Sequence, residues 1–366
     1  MAAQALHLSW HNPVRVHFGV GVWEHIPAAP AIVVLADRAA LSVEREAALR
    51  ARLGTTCLAW QWMQPGLASL AQARSHCAAL WPAMRQAPNA VVLAIGGGST
   101  LDLSKVVRYC FPPRRIDDDT TTEAWRNNTL PEGANRHTLW AVPTTAGTGS
   151  EASRSATVWD TDAPPGHKLA WTPPDGFADA AWIDPLLTLS CPESVTRDCA
   201  LDTLAHALEV LWNHRCNALT ASLAVTAARD VLAHLPQVLK DPQDLAARTA
   251  LCRASWLAGM AMSHTQTALA HALSYAVTLQ EGMPHGQACA LWLPMVWSMA
   301  LGQDAQCDQH LRQVFNTAPE DGLQILSHWL RGMDISVREL RHSAEGRQQL
   351  AEALQSARGR NFIGNH

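Results

Sequence analysis

Charge is scarce in this chain of 366 residues: Asp, Glu, Lys and Arg together make up 16 % of it. The 28 Lys and Arg against 32 Asp and Glu leave a formal net charge of −4 with no basic block, so nucleic acid is not an expected partner. No C-x-x-C pair occurs among the nine cysteines, and an odd count argues against a complete disulfide framework. They read as reduced thiols of a cytoplasmic protein, mostly small core hydrophobes. The apolar runs are too short to span a bilayer, and Met1 to His7 lack the basic-then-apolar pattern of a signal peptide, so no membrane is expected. Internal repeats and low-complexity tracts are missing too, as are the G-x-G-x-x-G fingerprint and the P-loop. Tyrosine is rare, two against fifteen Trp, and no function follows from that. What remains is a chain 48 % hydrophobic, with room for two domains and a sizeable core.

Strand and helix patterns alternate from the start. Residues 14–19 alternate like an edge strand, 31–36 form a β-branched run ending at Asp37, and 39–53 are helical. A strand over 56–62 and a helix over 67–86 follow, then the apolar run 89–95, the clearest strand of the chain. This alternation predicts a parallel sheet with helices on its faces. Pro112 to Asn135, rich in Pro, Arg, Asp and Thr, reads as a surface excursion, and 139–142 as one more strand. Past Asp184-Pro185 strand signals nearly vanish. Ala/Leu-rich helical patterns run near 198–212, 218–239, 244–263, 266–280, 287–301, 305–316, 319–332 and 344–358. The expected organisation is therefore an α/β domain over 1–185 and an all-helical domain over 186–366.

Two loops and one residue set carry chemistry. The strand at 89–95 runs into Gly96-Gly97-Gly98-Ser99, which opens a helix carrying Asp102 and Lys105. Glycines let backbone N–H groups approach a phosphate, Ser99 is placed to cap the helix, and the helix dipole favours an anion there. The strand at 139–142 ends in Pro143-Thr144-Thr145-Ala-Gly147-Thr148-Gly149-Ser150-Glu151, which offers hydroxyls and bare amides to a polar ligand. In the helical half, Asp202 and His206 stand at i and i+4, on one face of a helix. His271 lies within a helical run, and His285 follows Pro284 in a Gly/Pro-punctuated turn fourteen residues later. A chain reversing after that helix brings both imidazoles to one point. One carboxylate and three imidazoles suit Fe²⁺ or Zn²⁺ and suit Ca²⁺ or Mg²⁺ poorly.

Together these residues resemble the iron-containing (metal-dependent, group III) alcohol dehydrogenase family, over nearly the whole chain. The resemblance implies a nucleotide-binding α/β domain followed by an all-α metal domain, in the architecture that dehydroquinate synthases share. It implies NAD(H) or NADP(H), with the pyrophosphate on Gly96, Gly97, Gly98 and Ser99 beside Asp102. Thr144, Thr145, Thr148 and Ser150 resemble the second nucleotide-contacting loop, Leu187 lies in the segment passing behind the adenine, and Lys168 stands near the cofactor. Asp37 matches an acid beside the adenosine ribose, which favours NAD over NADP because its charge repels a 2′-phosphate. Asp202, His206, His271 and His285 fall on the four metal-ligand positions, for Fe²⁺ or Zn²⁺. Many members carry a proton-relaying histidine one turn after the third ligand. This chain has Tyr275 there, so Tyr275 joins His271 as the expected catalytic pair.

The stretch Thr265-x-Thr267-Ala-Leu-Ala-His271-Ala-Leu-Ser-Tyr275, with Ala156-Thr-Val-Trp159-Asp160, resembles the phosphonoacetaldehyde reductase branch. That branch implies a small aldehyde or alcohol substrate, with Arg154 and Arg215 as cations for a phosphonate, and the family suggests a homodimer. A butanol- or propanediol-type dehydrogenase is the alternative. Glycerol dehydrogenase and dehydroquinate synthase differ in glycine loops and ligands, and maleylacetate reductase lacks the full metal set. A non-catalytic scaffold would have no use for four spaced ligands.

Overall fold

The computed structural model of the chain describes residues 10–64, 68–109, 119–130, 135–161 and 167–364. The sequence before residue 10, where the signal-peptide pattern is missing, and parts of the 112–135 excursion lie outside them; within the excursion 119–126 is helical. The described chain forms two compact units. One comprises Val14–Thr196 with Gln237–Cys252, the other Arg197–Pro236 and Arg253–His366 together with the N-terminal residues.

The first unit is built on a six-stranded sheet whose paired strands all run parallel. Its strands are β1 (Arg15–Phe18), β2 (Ile32–Ala36), β3 (Cys57–Trp62), β4 (Val91–Gly96), β5 (Thr138–Pro143) and β8 (Ala180–Ile183), in the order β1-β8-β5-β4-β2-β3. Strands β2 and β4 are buried at every position, as their unbroken apolar runs require when both faces are covered. Helices α1 (Val43–Leu53), α2 (Leu70–Gln86) and α3 (Gly98–Val107) connect and cover the strands, and α4 is Asp119–Arg126. Trp23, Ile32, Val34, Leu49, Leu93, Ile95 and Trp182 centre one apolar core. From β2 the chain goes outward to β3, and from β4 it goes the opposite way to β5. The strand order therefore reverses between β2 and β4, and their carboxyl ends flank the place where such sheets bind ligands.

One element was not expected from the sequence. Strands β6 (Ala156–Asp160) and β7 (His167–Trp171) form a separate antiparallel pair. Each is five residues long without clean alternation, so neither stands out against the surrounding loop.

The second unit is helical: α5 (Glu193–Leu211), α6 (Ala218–Lys240), α7 (Leu245–Thr265), α8 (Leu269–Glu281), α9 (His285–Ala290), α10 (Leu293–Ala300), α11 (Ala305–Phe315), α12 (Pro319–Gly332) and α13 (Ala344–Gln355), with the ends of α5, α6 and α7 belonging to the first unit. The single helix expected over 287–301 is two. Pro294 stands in the first turn of α10, where its missing N–H costs nothing, so the helix restarts there instead of running through. Inside α6, Pro236 cannot bond to the Leu232 carbonyl, and the Trp329 indole N–H donates to that oxygen instead at 3.2 Å. Among the described residues no helix is long and apolar enough to cross a membrane.

Candidate nucleotide loop and metal centre

In the first unit the glycine turn leaves the end of β4 and enters α3. Gly97 is the N-cap of α3 and no side chain caps it, so Ser99 does not take the expected capping role: it lies inside the helix, exposed. The first-turn N–H groups of a ten-residue helix are thus left to an outside acceptor, which suits a pyrophosphate. The Thr144 N–H donates to the Gly96 carbonyl at 3.0 Å, which sets the second loop beside the first. An added Cβ on Gly98 would lie 2.5 Å from the Thr148 methyl carbon, so only glycine allows the two loops this close. A side-chain Cβ on Gly97 would press on Thr145 at 3.2 Å. Asp37 leaves the end of β2, half-buried, and accepts from the Ala39 N–H at 2.9 Å.

Other expected cofactor residues have partners inside the protein. Ser150 Oγ donates to Asp102 Oδ1 at 2.6 Å, and the Thr157 N–H donates to Asp102 Oδ2 at 2.7 Å. Lys105, fully buried, donates to the Ser155 carbonyl at 2.6 Å and lies 3.6 Å from Asp102 Oδ1. Burial lowers the Lys105 pKa and, against nearby Lys105, pushes Glu151 up to about 7. Leu187 is packed into the apolar core, and Lys168 lies 5.9 Å from the Trp159 ring across the β6–β7 pair. Arg154 belongs to this unit, and Arg215 is exposed on the helical one.

In the helical unit the four expected ligands converge. The Nε2 atoms of His206, His271 and His285 lie 3.8, 3.5 and 3.9 Å from one carboxylate oxygen, Asp202 Oδ1. Donors about 2.1 Å from a shared ion in a tetrahedron stand about 3.4 Å apart, so the spacing fits a first-row divalent metal. Asp202 Oδ1 and His271 Nε2 are buried and have no hydrogen-bond partner, an unfavourable state that a cation relieves. Burial raises the Asp202 carboxyl, but the three imidazoles, His206 first, outweigh it and hold it well below the usual carboxylate range. Burial also brings His206 down to about 4, so this imidazole stays neutral, as a ligand must.

Helix packing explains the convergence. An added Cβ on Gly286 would fall inside the Asp198 carbonyl, so only glycine lets α9 lie directly on α5. Gln287 locks the same contact by donating to Asp198 Oδ1 at 2.6 Å.

Two residues at this centre were not anticipated. Glu209, fully buried, accepts from His271 Nδ1 at 2.6 Å and from the backbone N–H groups of Ala268 and His271 at 2.8 and 3.1 Å. It caps α8, which has no side-chain cap of its own, and fixes the tautomer that turns Nε2 towards Asp202. Its place, one turn after His206 on the ligand-bearing face, was the available signal. Cys289 is the second. Its Sγ lies 3.9 and 3.8 Å from the two ring nitrogens of His285, and with Asp202, His271 and His285 it forms a four-donor group within 4.8 Å. Tyr275, one turn beyond His271, stacks on His285 with ring centroids 6.5 Å apart, and burial raises its phenol pKa.

A parallel sheet with a glycine turn at its switch point, joined in one chain to a helical unit holding an Asp/His₃ set, defines a class of metal- and nucleotide-binding proteins. The profile of iron-containing alcohol dehydrogenases matches residues 13–185, and that of the Fe-containing alcohol dehydrogenase family, C-terminal, matches 196–356. The chain belongs to the iron-containing alcohol dehydrogenase family. It is 36 % identical over 220 residues to the probable alcohol dehydrogenase EutG of Salmonella typhimurium, covering 60 % of this chain and 53 % of that one. It is 34 % identical over 208 residues to the phosphonoacetaldehyde reductase of Streptomyces viridochromogenes, covering 56 % and 51 %. The chain thus spans about half the length of the curated relatives it matches. The sulfoacetaldehyde reductase of Bifidobacterium kashiwanohense, solved with NAD⁺, shares the fold with a TM-score of 0.82 at 22 % identity, over 98 % of this chain and 95 % of that one.

Proposed function

We propose that the chain is a metal-dependent, NAD(P)H-linked alcohol dehydrogenase working as an aldehyde reductase, with phosphonoacetaldehyde, reduced to 2-hydroxyethylphosphonate, as its substrate. The observation that carries this is the convergence of three imidazole nitrogens within 3.5 to 3.9 Å of Asp202 Oδ1. Asp202, His206, His271 and His285 hold Fe²⁺ or Zn²⁺, which when bound supplies Lewis acidity to the aldehyde carbonyl. The exposed first turn of α3 receives the cofactor pyrophosphate, and Asp37 at the end of β2 selects NAD(H) by repelling a 2′-phosphate. Glu209 keeps His271 turned to the centre. The Tyr275 phenol, its pKa raised by burial, stays protonated at neutral pH and donates a hydrogen bond. The 34 % identity to a phosphonoacetaldehyde reductase supports the substrate, and the same identity to the 1-propanol dehydrogenase PduQ of Salmonella typhimurium favours a short-chain alcohol as second reading. A cytoplasmic homodimer serving phosphonate metabolism completes the proposal.

The test is NADH oxidation by the iron- or zinc-loaded protein, followed by absorbance, with phosphonoacetaldehyde, butanal, lactaldehyde and succinic semialdehyde. Turnover of phosphonoacetaldehyde is expected. Fast butanal turnover beside an inert phosphonoacetaldehyde removes the substrate, and NADH that binds without oxidation by any aldehyde removes the enzyme.

A further inference from the structure

The segment after the last helix carries an arginine that the activity above does not use. Arg358 precedes the 3₁₀ turn Gly359–Asn361, and that turn is tied into the metal-binding unit at several points. The His214 N–H donates to the Asn361 carbonyl at 2.9 Å, and the Ile363 N–H donates to the Trp212 carbonyl at 3.2 Å, just beyond the helix bearing Asp202 and His206. The Asn361 side chain donates to the Thr267 carbonyl at 2.8 Å, in the turn that leads to His271. The turn that follows Arg358 is therefore anchored just after the helix of His206 and just before the helix of His271.

The Arg358 side chain is fixed as well. Nη1 donates to Thr267 Oγ1 at 2.8 Å, and the guanidinium carbon lies 5.2 Å from the centroid of the Tyr275 ring, which in turn stacks on His285. In this unit Arg253 pairs with Asp230, Arg338 with Glu281 and Arg341 with Glu339, so their guanidinium charge is already answered by a carboxylate. No carboxylate pairs with Arg358 among the described residues. A guanidinium has five N–H donors, and Thr267 takes one of them. A half-buried, immobilised cation beside a reaction centre, its remaining donors unspent, is built to meet an anion from outside.

We propose that Arg358 is the specificity residue that binds the anionic end of the substrate, a phosphonate or sulfonate on the carbon next to the aldehyde. This rests on the aldehyde-reductase reading and replaces Arg154 and Arg215 as the cations serving that anion. A planar guanidinium matches two oxygens of a tetrahedral oxyanion at once, whereas a neutral alkyl aldehyde gains nothing from it.

The experiment compares kcat/KM for phosphonoacetaldehyde, sulfoacetaldehyde and propanal in the wild-type holoenzyme, Arg358→Gln and Arg358→Lys. Calorimetric titration with methylphosphonate, which cannot react, runs beside it. Loss of charge-assisted hydrogen bonds lowers the anionic-to-neutral ratio of kcat/KM by about 10- to 100-fold in Arg358→Gln, and methylphosphonate affinity falls with it. Arg358→Lys, which keeps the charge without the fork, lies between, and it carries the comparison should the glutamine variant misfold. The larger loss identifies phosphonate or sulfonate as the group read. An unchanged ratio, or a wild type that prefers propanal, overturns the role of Arg358 and leaves the reductase standing. If no aldehyde is reduced, the reductase reading fails, and methylphosphonate decides Arg358 alone: binding lost in Arg358→Gln upholds it, equal binding refutes it.

Discussion

Glu209 has one carboxylate and three donors to satisfy, all of them around His271. Removing its charge while keeping its shape leaves α8 with a weaker cap and the imidazole free to rotate or change tautomer. Glu209→Gln is expected to lower metal affinity by about 10- to 100-fold with the helices intact, read by competition with a chromophoric chelator and by circular dichroism. Affinity within twofold of wild type would mean that packing alone orients the ring. Sequence reading picked out the four side chains that converge on Asp202 Oδ1 because their order is local: an i, i+4 pair on one helix, and a proline-led turn that aims the last histidine. It missed Glu209, which matters through His271, 62 positions further on, and it passed over Cys289 although that thiol stands one helical turn after His285. The loops show the same limit. Asp102 and Ser150 have the chemistry of ligand contacts, yet they hydrogen-bond each other across 48 positions, a fact that spacing cannot encode.

Helices α6 and α10 show how proline acts at the scale of an element. In α10 it sits in the first turn, where no intrahelical bond is lost, and marks a restart. Pro236 sits inside α6, and the carbonyl it strands is met by Trp329 from α12. Trp329→Phe keeps most of the ring and deletes that donor. It is expected to cost about 1–3 kcal/mol in urea-induced unfolding. A loss below about 0.5 kcal/mol would show that water replaces the indole at no penalty. The helices were readable from their Ala/Leu periodicity and the strands from their β-branched runs. The β6–β7 pair was not, because a five-residue antiparallel pair has neither the length nor the alternation that betrays a strand.

At the scale of the whole molecule, an Asp/His₃ centre assembled from three helices links metal binding to the stability of the helical unit. A free ion at 100 times its dissociation constant adds about 2.7 kcal/mol to folding. Stripping it with a chelator is expected to lower the midpoint of thermal unfolding by about 5–10 °C, restored by Fe²⁺ or Zn²⁺, in differential scanning calorimetry. A midpoint indifferent to chelation would mean that the centre holds no metal. The sheet raises a different matter. Residues 237–252, which fall between two stretches of the helical unit, belong with the α/β unit, so the backbone passes from one to the other four times, at Pro13, Thr196, Pro236 and Cys252. No single cut in the gene can therefore release either half with its own core complete. Exchanging the nucleotide-binding unit for another would have to carry residues 237–252 along with 14–196, two inserts in register instead of one.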